Sequence, residues 1–413
     1  MRLTAEEQAM LRGAHGPAVK QGIEYLIKVG EFWGAERLVP VTNVHMMGDI
    51  EVMGDGGLKW LECAAGQNAR CALNVTTNAR SFDFSLVEKL QQDAGEAAKE
   101  KKLIGLLQRM NVATTDTCIN YQTLYQPHLG ERVAWGDTGT VIYANSVFGA
   151  RSNFESGPAA FAAALTGRVP EYGFQLDRHR KGTFVVKLQA DLADLADWGA
   201  VGRLVGEPNQ NYFQVPVFTD VRRAPSSDEL KHLGASLASY GSMGMFHMVG
   251  VTPEAPSVEA ALGGNRPHRE ITITNADLER LYRSYDLGDG RCDLIVFSGP
   301  QLSLWELKNL AERFDGRKIK HGTQVFVTSS NGVLSAARKL GYVQMLEAAG
   351  ATLMEGVCFY ILQNLSQMRQ RNGWSNMISN SAKIVNIIGA HRFNTILRRT
   401  QDCVDIALEG RLR

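Results

Sequence analysis

Neither sign of charge dominates this 413-residue chain: 44 Lys and Arg stand against 43 Asp and Glu. That balance removes the electrostatic footprint of a nucleic-acid or anionic-membrane binder. No apolar run approaches the ~20 residues that a membrane-spanning helix needs. The opening Met1-Arg2-Leu3-Thr4-Ala5-Glu6-Glu7 puts acids where a secretory leader would have its apolar stretch. Six cysteines without any C-x-x-C are too sparse for a disulfide framework. Free thiols or metal ligands in a cytoplasmic protein are expected. Internal repeats and low-complexity tracts are missing, as are H-E-x-x-H, G-x-S-x-G, P-loop and G-x-G-x-x-G motifs. Gly54-Asp55-Gly56-Gly57 lacks the lysine and spacing of a phosphate loop and suggests a tight turn. His45, His128 and His179 are scattered, with no metal-ligand spacing.

What is present is an ordinary globular composition, 44% hydrophobic and 21% charged, with a clear α/β pattern. The clearest unit is C-terminal. Leu294–Phe297, Val325–Val327 and Ala351–Met354 are β-like runs, closed by Ser298-Gly299-Pro300, Thr328-Ser329-Ser330 and Gly356-Val357-Cys358. Amphipathic segments between them, one capped by Ser303-x-x-Glu306 and one opening at Asn331, predict β-α-β-α-β with parallel strands. A further strand, Met377-Ile378, ends in Ser379-Asn380-Ser381-Ala382-Lys383. Ligands on such sheets sit at the carboxyl ends of the strands, so these loops should meet at one edge. The change of pattern predicts an N-terminal α/β region, 1–288, and a C-terminal βαβαβ subdomain, 289–413. Residues 4–34 should be helical, with a capping box at Thr4-x-x-Glu7; residues 84–110 should form helices; Ser226 and Asn275 should start helices.

Two features carry possible chemistry. Cys358 ends a predicted strand and Cys118 lies in a Thr-Asp-Thr-Cys turn, so tertiary folding could place two thiolates on one iron site. The Asn145–Asn153 stretch supplies Asn145, Ser146, Arg151 and Asn153, a set able to clamp a carboxylate or phosphate. Lys383, among small polar residues, could bind an anion or move a proton.

Several longer motifs carry a resemblance. They include Leu3-Thr4-x-Glu6-Glu7 with Gly13-x-x-Gly16, Gly34-Ala35-x-Arg37-Leu38-x-Pro40, Gly54-Asp55-x-Gly57-Leu58 and Thr76-Thr77-Asn78. Cys118, Gly130-Glu131, Ala134-Trp135, Ala144-Asn145-Ser146-Val147-x-Gly149-Ala150-Arg151-x-Asn153, Gly157-Pro158 and Asn380-Ser381-Ala382-Lys383 continue it. Over nearly its whole length the chain resembles the large, catalytic subunit of aconitase X, in the aconitase superfamily. The resemblance implies an aconitase-like architecture with parallel βαβ sheets around a central cleft, lacking the swivelling small domain, which a small-subunit partner would supply. It implies a hydro-lyase acting on a small hydroxylated acid: bacterial relatives dehydrate cis-3-hydroxy-L-proline, archaeal ones 5-phosphomevalonate. The family uses an iron–sulfur cluster held by three cysteines, whose iron takes the hydroxyl, and a serine base on the swivelling domain.

Carried over residue by residue, Cys118 and Cys358 are the expected metal ligands, and Lys383 and Ser146 the expected catalytic residues. Thr77, Asn78, Asn145, Arg151, Asn153 and Ser329 are expected to bind substrate. The third cysteine belongs just before Pro300, where this chain has Gly299. Cys292, seven residues earlier, should lie roughly 20 Å away at the other end of the strand. The cluster's type, and its presence, are therefore open. The favoured substrate is most like cis-3-hydroxy-L-proline. A metal-free isomerase or lyase and a non-catalytic paralogue remain alternatives because of Gly299. Phosphomevalonate is less favoured, since no additional basic residue stands out for its phosphate.

Overall fold

The computed structural model describes residues 1–286 and 290–412. Two helices, Ala5–Leu11 and Pro17–Phe32, open the chain, the first closed by the expected Thr4/Glu7 capping box. Strand β1 (Leu38–Pro40) pairs antiparallel with β6 (Arg168–Pro170). Between them β2 (Asn43–Met46), β3 (Asn74–Thr77), β4 (Val112–Ala113) and β5 (Ala134–Trp135) form a parallel sheet in the order β4-β3-β2-β5. A second parallel sheet contains β7 (Phe184–Leu188), β8 (Pro216–Thr219), β9 (His247–Met248) and β10 (Glu270–Ile273), in the order β10-β7-β8-β9. The third has β11 (Leu294–Leu302), β12 (Gln324–Ser329), β13 (Thr352–Glu355), β14 (Asn376–Ser379) and β15 (Asn394–Leu397), in the order β13-β12-β11-β14-β15. This is the α/β architecture of parallel sheets implied by the resemblance.

Strand order locates the chemistry. In the first sheet the winding reverses between β2 and β5, and in the third between β11 and β14. Open parallel sheets present a crevice at such a reversal, because the crossovers leave in opposite directions. The residues that follow β5 and β14 are Gly136-Asp137 and Asn380 to Lys383, and β11 passes through Gly299.

Local sequence explains most elements. The Ser303/Glu306 and Ser226/Glu229 capping boxes form as expected, and a helix starts at Asn275 as expected, capped by Thr274 with Asp277. The helix opening at Asn331 is two helices, Asn331–Lys339 and Tyr342–Ala349, because Gly341 takes the left-handed conformation between them. The helix within 84–110 is Ala94–Arg109, preceded by turns. Gly54 to Gly57 are not a tight turn but lie inside the kinked helix Ile50–Gly66, where Gly54 alone has non-helical φ 61° and ψ −176°. The expected 288/289 boundary falls on residues outside those described. Among the described residues no helix is long and apolar enough to cross a membrane.

A buried ionic cluster stands at the end of the first sheet, and the backbone of its arginine reaches the third. Arg80 donates to Glu100 and to Asp116, while its backbone N–H donates to Gly356 O at 2.9 Å. Burial raises the Glu100 carboxyl to about 7 against the pull of Arg80, and raises nearby Asp49 to about 6. Glu155 differs: both its carboxylate oxygens are buried without a hydrogen-bond partner, amid Tyr25, Tyr172 and Tyr212. Burial alone raises it from 4.5 to about 7. A carboxyl raised by folding adds stability below its unfolded value that is lost as pH climbs through the folded one. Glu155→Gln removes this dependence. Relative to the unaltered chain, the variant should gain about 3 kcal/mol in unfolding free energy between pH 4.5 and 8. Parallel urea titrations at the two pH values measure that difference, and a constant difference would sink the assignment.

Candidate active site at two facing sheet reversals

Asp137 is the hub. It caps helix Thr138–Tyr143, where Oδ2 accepts from the N–H groups of Gly139 (2.8 Å) and Thr140 (3.2 Å). Its Oδ1 faces Lys383 Nζ at 3.5 Å, with only 13% and 11% of the two side chains exposed. Burial works against the Lys383 ammonium, but Asp137 and the nearby thiols outweigh it and hold its pKa above the ordinary lysine value. The lysine is aimed by the short loop before it. Ser379 Oγ donates to Val296 O, and Ser381 Oγ donates to Gly299 O while capping the helix Ala382–Ile387. Gly199 lets this helix start close to helix Leu195–Gly206: a Cβ there would lie 2.9 Å from Ala382 Cβ.

His45, on β2 directly beside Trp135 of β5, is the residue that sequence reasoning passed over. Its Nδ1 bonds Thr76 Oγ1 at 2.8 Å, and the buried ring also meets the Asn78 side chain and the Thr117 backbone. Burial pushes the ring down to about 4, against the pull of Asp137, so it is neutral near pH 7. Asn78 follows β3, with its N–H donating to Met46 O at 2.9 Å. Its Nδ2 points to Met47 Sδ, and its buried side chain faces His45, which it supports as a hydrogen-bond partner. No sequence motif marked His45. Its position at the last turn of a strand flanking a reversal is the signal that could have found it.

Cys118 and Cys358 come to the same place. Both are within electrostatic reach of Asp137 and Lys383 and of one another. Burial pushes the Cys118 thiol up to about 12 and also raises that of Cys358. Gln301 ties their loops together: its side chain accepts from Cys118 N–H and donates to Asp116 O and Val357 O, and its N–H donates to Cys118 Sγ at 3.2 Å.

Of the other expected site residues, Thr77 lies beneath the cluster, its Oγ1 donating to Asp116 at 3.0 Å. Ser329 sits at the end of β12 with its Oγ donating to Leu302 O. The Asn145–Asn153 stretch is not brought in. Asn145 donates to Ser152 O and Gly244 O, Ser146 Oγ accepts from Phe246 N–H, and Asn153 links Tyr172, Phe174 and Tyr212. Arg151 pairs with Asp177 and with Gln175 O at the opposite end of β5, about 15 Å from Asp137 at ~3.3 Å per residue. Their polar atoms satisfy buried backbone groups where an irregular chain has no ladder to do so.

The donor set can be compared with a three-cysteine cluster. Gly299 fills the third position at φ +58°, and a Cβ there would press on Ile384 at 3.2 Å. Cys292 is at the far end of β11, beside Cys403. Among the described residues no group of three Cys, His, Asp or Glu side chains is arranged to hold a metal ion. Two thiols therefore do not fit a cluster held by three. Gly299→Cys should lower stability by about 1–3 kcal/mol, since a side chain there takes the left-handed conformation against Ile384. Chemical denaturation measures this, and an unchanged midpoint would show that the loop relaxes freely.

Family profiles cover the chain from end to end. Aconitase X first domain matches residues 1–178, second domain 182–283 and third domain 292–409. The chain belongs to the aconitase X family. This aconitase X chain is 33% identical to the phosphomevalonate dehydratase large subunit of Methanothermobacter thermautotrophicus, over 87% of its own length and 88% of that protein. It is 31% identical to the cis-3-hydroxy-L-proline dehydratase of Pseudomonas aeruginosa, over 99% of its length and 70% of that enzyme. The crystal structure of Thermococcus kodakaraensis aconitase X (holo-form) superposes with a TM-score of 0.86 at 28% identity, covering 99% of this chain and 100% of that one.

Proposed function

We propose that this chain is the larger part of a hydro-lyase that removes water from a small hydroxylated amino or carboxylic acid, most like cis-3-hydroxy-L-proline. Relatives named as dehydratases on both substrates support the reaction class. The choice between them is carried by one observation: within the cluster, among the described residues, Lys383 is the cation left to meet substrate. Arg80 is committed to Glu100 and Asp116, Arg151 to Asp177, and Arg180 to Glu254. One ammonium beside a carboxylate suits a single carboxylate ligand better than a phosphate and a carboxylate together.

In this reading Lys383 binds the substrate carboxylate and stabilises the negative charge that grows on it as the adjacent C–H proton leaves. Nζ has three N–H groups and one faces Asp137, so another remains to hydrogen-bond the departing hydroxyl. Asp137 keeps the ammonium charged and in place. In the family, iron accepts the hydroxyl; the thiols present do not fit that cluster, and no step here runs through it. The proton acceptor comes from a small swivelling-domain subunit, in keeping with relatives named as large subunits. Free cysteines throughout the described chain suit a cytoplasmic setting.

Gly299 favours a second reading, a paralogue that binds the same ligand without turnover. Co-expression with the small subunit, anaerobic purification, and assay of cis-3-hydroxy-L-proline against 5-phosphomevalonate separate the two. Turnover of the hydroxyproline is the expected result. Turnover of the phosphorylated acid alone would reverse the substrate choice, and turnover of neither would favour the paralogue. Iron and acid-labile sulfide measured on the same sample should fall below one cluster per chain.

A further inference from the structure

All three domains of the chain meet at Gln301. The residue is fully buried, and each of its polar groups has a partner. Its N–H donates to Cys118 Sγ at 3.2 Å, and its side chain accepts from Cys118 N–H and donates to Asp116 O and Val357 O. Its carbonyl accepts from Lys231 Nζ at 3.3 Å. Cys118 lies in the first domain, Lys231 in the second, and Gln301 and Val357 in the third. The strand does not hold Gln301 by itself. β11 stays in register with β12 from Leu294 to Phe297 and rejoins it at Leu302, opposite Ser329, so Ser298 to Gln301 bulge out opposite Thr328. A bulge re-aims side chains but gives up ladder bonds, and other groups must then meet its backbone.

Lys231 is placed to do so. It stands on helix Ser227–Gly241 with its side chain wholly out of solvent. Its ammonium has three N–H groups and three partners: Asp228 at 3.2 Å, Glu306, and the Gln301 carbonyl. Burial works against the charge, but Asp228 and Glu306 outweigh it and raise the pKa above the ordinary lysine value. Both carboxylates are fixed in turn. Glu306 bonds His232 Nε2 at 2.8 Å and accepts from Ser303 N–H at 2.7 Å; Asp228 accepts from Ser303 Oγ at 2.7 Å and from Gln122 Nε2 at 2.9 Å. A lysine that only balanced two acids would need no contact with the bulge. This one directs its third donor there.

We propose that Lys231 is a positioning residue for the active site: it clamps the Gln301 carbonyl, and through Gln301 it fixes the Cys118 turn and the loop that carries Cys358. The inference goes beyond the choice of reaction, because it concerns how the thiols are held and is read at the thiols themselves.

Iodoacetamide labelling of the full chain, mapped cysteine by cysteine by mass spectrometry, tests it. Lys231→Met should speed labelling of Cys118 by about tenfold, the effect of one buried hydrogen bond on a local opening. Cys71, Cys292 and Cys403, also buried, should keep their rates. A general loss of stability would raise all four together. Should that variant fail to fold, Lys231→Met with Glu306→Gln decides: glutamine keeps the helix cap and removes an uncompensated charge, yet the Gln301 carbonyl still lacks its donor. Gln301→Met should show the same selective labelling. Unchanged labelling of Cys118 in a folded Lys231 variant, or equal acceleration at all four cysteines, overturns the clamp. Hydrogen exchange on the unaltered chain needs no variant. The Gln301 and Cys118 amides should exchange as slowly as those of β12, and exchange as fast as in an exposed loop would overturn the clamp as well. In the assembled enzyme the folded Lys231 variants should lower kcat with KM within about twofold, and an unchanged kcat would remove Lys231 from the positioning role. If the unaltered chain turns over no hydroxylated acid, the reaction falls and the labelling still decides the clamp.

Discussion

Lys383→Met should lower kcat/KM of the assembled enzyme by about 10³-fold, with the loss mostly in kcat. The argument is electrostatic. The ammonium lies in a site from which water is largely excluded, where charge–charge interactions are screened much less than at the surface. It meets the carboxylate in the ground state, but its pull strengthens as the adjacent carbon loses its proton and charge accumulates on the carboxylate oxygens. Methionine matches the length of the side chain and removes only the charge and the donors. Arginine keeps the charge, but its planar fork needs more room than the space between Asp137 and Gly139, a Cβ on which would lie 3.5 Å from Nζ. Lys383→Arg should therefore recover only part of the rate. Steady-state kinetics on both variants give the answer, and a methionine variant within tenfold of the unaltered enzyme would remove Lys383 from the reaction.

Arg80→Met should destabilise the fold by about 3–5 kcal/mol at pH 8, the usual cost of removing one partner from a buried ion pair. Arg80 is 3% exposed and answers both Glu100 and Asp116. Without it, Glu100 and Asp49 face each other across a buried space with no cation between them. The cost should shrink at pH 5, because Glu100, already raised to about 7, then carries its proton and needs no partner. Arg80→Met with Glu100→Gln should recover part of the loss at pH 8. The same change loosens Asp116, two residues before Cys118, and so should reduce activity beyond what stability explains. Equal destabilisation at both pH values would count against the charge argument.

Cys358 and Lys383 stood in visible loops at the ends of predicted strands and Cys118 in a Thr-Asp-Thr-Cys turn, and the structure brings them together. Asn78 entered through the Thr76-Thr77-Asn78 motif and joins them. His45 and Asp137 were harder to find. Asp137 stood in none of the quoted motifs, and His45 looked like an isolated histidine. Arg151, Asn145 and Asn153 show the opposite difficulty. A polar side chain aimed at a ligand and one that satisfies an irregular backbone are spelled with the same residues, and only the partner tells them apart.

The sequence by itself determined the parallel α/β class, most helix starts, the strand-end loops of the third sheet and the family. These depend on hydrophobic period, capping residues and motif strings, all of which are local. It also determined that Gly299 stands where a ligand cysteine is expected. Tertiary structure alone decided that the reversals of two separate sheets face each other. His45 and Asp137 lie about 250 to 340 residues from Lys383 in sequence, and nothing local encodes their approach. Strand order sets it: each crossover direction is fixed by packing on the sheet, and the crevice opens where two directions diverge. The buried contact of His45 with Asn78 belongs to that level too, because which groups surround a polar atom depends on everything the fold has placed around it.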